Sequence, residues 1–136
     1  MSLQVPVLAV VAEGSESLET VAIVNLLRRA ELAVTVASIE ATTLIEGTRG
    51  IRFMADARLA EVIDQPWSQL VLPGGAGGAK ALGGHASLIA LLKVRLAADQ
   101  PIAAICAAPA LALAANGLLD GRQATCYPAF RDLLPN

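Results

Sequence analysis

The chain has 136 residues, of which 55% are hydrophobic, 16% charged and 3% aromatic, and its formal net charge is −2. This faintly acidic, ring-poor composition excludes a nucleic-acid surface, which needs basic charge and stacking platforms, and no apolar run reaches bilayer-spanning length. Two cysteines in no recognisable framework, and no basic region ahead of the first apolar run, read as a soluble cytoplasmic protein of one domain, 1–136, whose motifs call for no metal or cofactor.

Val5 to Val11 is a continuous apolar run and predicts a central parallel strand covered on both faces. The polar turn Ala12 to Glu16 leads into a predicted helix from Ser17 to Ala30, closed by Arg28 and Arg29, where positive charge suits the helix dipole. Leu18, Val21, Ala22, Ile23, Val24, Leu26 and Leu27 cover more than one stripe, so this helix is expected to be buried on most sides, with a second subunit as part of the cover. Ala33 to Ile39 predicts a second strand, and Leu44 to Met54 a hairpin turned near Gly47 to Gly50. A short helix, Arg58 to Ile63, is followed by Pro66. Gln69 to Leu72 is the next strand and runs into the glycine turn Pro73 to Gly78. A helical turn is expected over Ala79 to Leu82, then an amphipathic helix over Ala86 to Ala98 with Lys93 and Arg95 on its wet side.

Ile102 to Ile105, bounded by Pro101, is too short for a helix and reads as a buried strand. Ala107 to Ala115 is nearly all Ala and Leu and predicts a helix, with Pro109 where a first turn tolerates it and Asn116-Gly117 as a left-handed cap. Gln123 to Cys126 reads as a short strand and Phe130 to Leu134 as a helical turn. Strands alternating with helices at this spacing imply right-handed crossovers, an α/β fold with a mostly parallel sheet, and a site at the carboxyl ends of the strands.

Cys106 stands at the corner between strand and helix. Such a corner lifts the side chain out of the sheet and aims free N–H groups and a positive dipole end at the sulfur, which should favour thiolate over thiol. A buried structural cysteine is the competing reading, since Cys packs as a small hydrophobe. Pro73-Gly74-Gly75 follows a strand directly, so it is either a tight turn or a set of N–H groups brought close to a ligand; it fits neither the phosphate-loop nor the dinucleotide pattern. Glu16 and Glu19 open the first helix, either as solvated dipole complements or with one of them facing Cys106, where burial beside a thiolate would keep it protonated as a donor. His85, the only histidine, lies in a loop between helices. Cys126 reads as a satisfied strand residue rather than a resolving thiol, and Arg49 as a solvated hairpin residue.

Four stretches together resemble the ThiJ/PfpI superfamily, in the branch that includes the parkinsonism-associated protein deglycase: Gly14-Ser-Glu-Ser-Leu-Glu-Thr-Val21, Arg28-Arg29-Ala30, Leu72-Pro-Gly-Gly75 and Ala103-Ala-Ile-Cys-Ala-Ala-Pro109. The resemblance covers essentially the whole chain. It implies a flavodoxin-like three-layer α/β sandwich and a homodimer, with Cys106 as the nucleophilic or oxidisable cysteine. It further implies that Glu19 is the protonated acid bonded to the sulfur, that Gly75 and Ala107 are N–H donors to an oxyanion, that Gly74 shapes the turn, and that Arg49 approaches the partner's site. Tyr127 stands where some members carry a dyad histidine, which argues against a Cys–His mechanism, and Ala108 replaces a common glycine. The family continues past this point with a strand, a glycine-rich turn and a closing helix, so a complementary C-terminal fragment or a tightly bound subunit is expected to complete the fold.

Two functions follow from the resemblance. One is a cysteine-dependent enzyme of glyoxalase or deglycase type acting on small reactive carbonyls or glycated protein. The other is a redox-sensing or chaperone-like stress protein whose Cys106 is oxidised.

Overall fold

A computed structural model describes residues 5–136. Five strands, all parallel, form the central sheet: β1 (Pro6–Val11), β2 (Ala33–Ser38), β5 (Ala57–Arg58), β6 (Gln69–Leu72) and β7 (Ile102–Ala104), in the order β5-β2-β1-β6-β7. Register runs Val7 to Val34 on one side of β1 and Val7 to Gln69 on the other, so the order reverses at β1. The carboxyl ends of β1, β6 and β7 therefore lie side by side at the switch point, where sheets of this kind hold their ligands.

Alternation along β1 divides the core. Leu8, Val10 and Ala12 face one side, with Leu70, Leu72, Leu82, Leu88 and Leu92. Val7 and Ala9 face the other, against Ile23, Val24 and Leu27 of α1 (Ser17–Arg29). The first side carries α2 (Leu59–Val62), α3 (Ala76–Gly83), α4 (Ala86–Ala97) and the helical segment after Cys106; α1 lies on the second. The hairpin β3 (Leu44–Glu46) and β4 (Arg52–Met54) is antiparallel and separate, as expected, with a 3-10 turn, Thr48–Gly50, at its tip.

Several elements differ from expectation. Within the described single chain α1 buries only Ser17 and Thr20, while Leu18 and Leu26 are 76% and 60% exposed; its apolar residues wrap around the helix, but only the Ile23–Val24–Leu27 side meets the sheet. The turn expected over Ala79 to Leu82 is the longer helix α3, started by the Ala79 N–H donating to the Gly75 carbonyl at 2.8 Å. Arg95 is buried rather than wet: its guanidinium donates to the carbonyls of Trp67 (2.7 Å), Ser68 (3.0 Å) and Pro101 (2.9 Å). Gln123 to Cys126 is no strand. It forms no ladder among the described residues, and only the next amide, that of Tyr127, bonds to the elbow. The helix expected over Ala107 to Ala115 is instead a π segment, Pro109–Leu113, followed by a 3-10 turn, Ala114–Asn116, and Gly117 ends it in the expected left-handed conformation. Among the described residues no helix is long and apolar enough to cross a membrane.

Candidate active site

Glu16 sets the start of α1. Its carboxylate accepts from the Leu18 N–H at 3.2 Å, and its own amide donates to the Gly74 carbonyl at 2.9 Å. Glu16 is thus a cap that ties α1 to the β6 turn. Glu19 follows in the first helical turn, half-buried, and its Oε2 accepts the Gly74 N–H at 2.7 Å. The β1–α1 loop is locked from both sides, because the Ser15 hydroxyl accepts from Ala12 N–H at 2.9 Å and the Thr48 N–H donates to the Ser15 carbonyl at 3.0 Å.

Cys106 has φ 59°, the left-handed region that a non-glycine residue rarely adopts. That strain marks the expected elbow and is of the kind that clusters at functional sites. The sulfur lies within hydrogen-bonding reach of the Glu19 carboxyl and of the backbone N–H groups of Gly75 and Ala107. A Cβ on Gly74 would stand 2.5 Å from the Cys106 Cβ and 2.7 Å from Glu19 Oε2, so only glycine leaves room for the two side chains to meet. Gly75, at φ +87°, turns its amide toward the sulfur, and a Cβ there would run into the Gly14 carbonyl.

The expected thiolate bias is corrected by this geometry. Burial pushes the Cys106 thiol above its ordinary range, the neighbouring Glu19 carboxylate pushes it further, and the two N–H groups pull it only partly back. Glu19's contribution depends on where its proton is. As a carboxylate it repels a thiolate; as an acid it donates to one.

The remaining candidates lie further out. Tyr127 donates its N–H to the Cys106 carbonyl at 2.7 Å, but its ring is 51% exposed and leans on Phe130, with centroids 6.0 Å apart. Arg49 is exposed at φ 60° on the hairpin tip and makes no hydrogen bond or ion pair among the described residues. His85 caps α4, its Nδ1 accepting from Leu88 N–H at 3.2 Å. Among the described residues no group of three metal-ligating side chains comes together. Sequence reasoning missed Ser15, Thr48 and the Tyr127 amide, which fix the loops around the sulfur; a serine buried directly after the first strand was the available signal for Ser15.

A parallel sheet whose switch point carries a strained cysteine, a carboxyl and two converging N–H groups defines a flavodoxin-like α/β protein with a cysteine elbow. The chain belongs to the DJ-1/PfpI family, whose sequence pattern matches residues 5–136. It is 42% identical over 128 residues to Protein DJ-1 homolog A of Arabidopsis thaliana, covering 94% of this chain and 33% of that protein. It is 28% identical over 130 residues to Deglycase PH1704 of Pyrococcus horikoshii, covering 96% of this chain and 76% of that one. Among solved structures, oxidized Toxoplasma gondii DJ-1 superposes with a TM-score of 0.93 at 42% identity, over 96% of this chain and 71% of that chain. The chain spans about a third of the length of the Arabidopsis relatives it matches.

Proposed function

We propose that the protein is a cysteine-dependent enzyme acting on small reactive carbonyls or on their adducts with protein. The observation that carries this reading is the convergence of Glu19, Gly75 N–H and Ala107 N–H on the Cys106 sulfur. The relative named as a deglycase supports the substrate class. In the working state Cys106 and Glu19 hold one proton between them, and the reactive form has it on Glu19. The Cys106 thiolate attacks the carbonyl carbon. The C=O electron pair moves onto oxygen, where the two N–H groups meet it, and Glu19 delivers its proton to give a hemithioacetal. Glu19 then takes the proton back as the adduct moves on. Gly74 shapes the turn, and Glu16 and Tyr127 position the walls of the site.

The protein works in the cytoplasm as a homodimer in this reading. The open side of α1, with Leu18, Val21 and Leu26, supports a subunit contact there, from which Arg49 would reach toward the partner's site. Turnover of methylglyoxal tests the enzyme reading: it should be lost in Cys106→Ser and reduced about 10²–10⁴-fold in Glu19→Leu, the usual range for a general acid–base. Undiminished turnover in Cys106→Ser would remove the cysteine from the mechanism. The second reading is a redox sensor whose Cys106 is oxidised to sulfinate and held by Glu19. It is supported by the half-exposed thiol beside two N–H groups and by the oxidized state of the Toxoplasma relative. Sulfinate formation under peroxide without carbonyl turnover would favour it.

A further inference from the structure

We propose that Cys126 is a resolving thiol for Cys106, so that the two form an intrachain disulfide once a hydroperoxide has oxidised Cys106. The proposal rests on the reactive-thiol reading above and corrects the expectation that Cys126 is a satisfied strand residue. The Tyr127 N–H donates to the Cys106 carbonyl at 2.7 Å, which ties the residue after Cys126 to the elbow itself. Standard backbone dimensions then hold the two cysteine Cα atoms within about 7.5 Å of each other, so a disulfide asks for at most a small shift of the Cys126 loop.

The two sulfurs differ in how firmly they are held. Cys106 sits on the strained elbow at φ 59°, with Glu19, Gly75 and Ala107 around its sulfur. Cys126 makes only a weak bond from its thiol to the Tyr127 carbonyl at 3.3 Å, within its own turn. Gln123, Ala124 and Thr125 are exposed, and residues 123–126 make no backbone hydrogen bond among the described residues. This segment can therefore move the short distance that a disulfide requires without breaking a ladder. Both cysteines are unpaired and half-buried, accessible to a small oxidant.

The chemistry balances with a hydroperoxide as the oxidant. The Cys106 thiolate attacks one peroxide oxygen and the O–O bond breaks. The sulfur is oxidised by two electrons to a sulfenic acid, and the peroxide is reduced to an alcohol or water. The Cys126 sulfur then attacks the Cys106 sulfur. An S–S bond forms, the S–O bond breaks, and hydroxide leaves with the Cys126 proton as water. The disulfide protects Cys106 from irreversible oxidation and returns to two thiols with a dithiol reductant.

The test treats the whole 136-residue chain, and its Cys126→Ser variant, with hydrogen peroxide in the presence and absence of dimedone, followed by intact mass and peptide mapping. The unsubstituted chain should become about 2 Da lighter and yield a Cys106–Cys126 cross-linked peptide, whereas Cys126→Ser should give a dimedone adduct on Cys106 and, without dimedone, gain about 32 Da as sulfinate. Sulfinate forming at equal rates in both proteins, or disulfides only between chains, overturns the pairing while leaving Cys106 reactive. No adduct on Cys106 in either protein overturns the reactive-thiol reading itself, and the proposal with it.

Discussion

At the scale of single residues the site depends on a missing side chain. Gly74 donates its N–H to Glu19 and leaves the space in which Glu19 and Cys106 meet. Gly74→Ala places a methyl group 2.5 Å from the Cys106 Cβ, which the elbow backbone holds, and 2.7 Å from the Glu19 carboxyl oxygen, which can yield only by giving up its bond from the Gly74 N–H. The substitution should cost about 1–3 kcal/mol of stability as an overpacked site and separate the thiol from its proton partner. Denaturant unfolding reads the first effect and the rate of Cys106 alkylation the second; a variant with unchanged stability and alkylation would show that the turn has slack. Glu16 shows how position decides role. It lies only three residues from Glu19, yet its carboxylate caps the helix while that of Glu19 faces the β6 turn.

At the scale of elements, Arg95 pins the amino ends of β6 and β7. It comes from α4 and is 3% exposed. Burial pulls its pKa down, and three backbone carbonyls rather than a counter-ion surround it. Arg95→Met keeps the apolar stem but leaves those carbonyls with fewer donors, so unfolding should require about 3 kcal/mol less. Urea denaturation checks this, and a variant as stable as the parent would mean that water satisfies the carbonyls equally well. Arg95 also marks where the sequence was misleading. A cation on an amphipathic helix reads as solvated, and nothing local says that two strand starts will present carbonyls to it. β1, β2, β6 and α1 were legible because apolar runs and polar turns alternate cleanly from Val5 to Leu72; the two-residue edge strand β5 was not, because its pairing to β2 leaves no apolar run to read. The four short motifs around Gly14, Arg28, Gly74 and Cys106 made the site legible. The π segment after Cys106 was not, because Ala and Leu favour a regular α-helix; what distinguishes the segment is its contact with α3, where Asn116 donates to both the Gly83 and Ala112 carbonyls at 2.9 Å. The raised thiol was also illegible, since it arises from burial and from a carboxyl 87 residues earlier in the chain.

At the scale of the whole molecule the two faces of the sheet are unequal. One is closed by α2, α3, α4 and the segment after Cys106. The other carries α1, with the β3–β4 hairpin over its Val11–Val36 end, and beside α1 a groove of about 340 Å³ is lined by Ile23, Leu26, Leu27, Val71, Ala103 and Ile105. Ile105 is 47% exposed there, and Leu18 and Val21 add apolar area on the outer side of α1. Each such side chain gains about 1.5–3 kcal/mol when fully buried, so a few of them approach the stability of an ordinary domain, about 5–15 kcal/mol. Residues 1–136 on their own are therefore expected to self-associate or to pack loosely. Light scattering coupled to gel filtration, with a thermal scan, checks this; a monomer with one cooperative transition would show that these faces tolerate water.

The proposal that Glu19 carries the proton of the reactive form underlies the whole account of reactivity, and the pH dependence of Cys106 alkylation by iodoacetamide tests it most directly. In the unsubstituted chain the rate should hold a plateau through neutral pH, where one proton remains on the pair and the thiolate form has it on Glu19. The rate should climb again only above the ordinary cysteine value of about 8.5, where the second proton leaves a thiol raised by burial and by its carboxylate neighbour. Glu19→Leu should lose the plateau and show a single alkaline rise. Glu19→Gln can donate to the sulfur but cannot hold the shared proton, and its single rise should fall at lower pH than that of the leucine variant. Faster alkylation at neutral pH in both variants than in the unsubstituted chain would contradict the account, because Glu19 would then act only as a fixed negative charge that suppresses the thiolate.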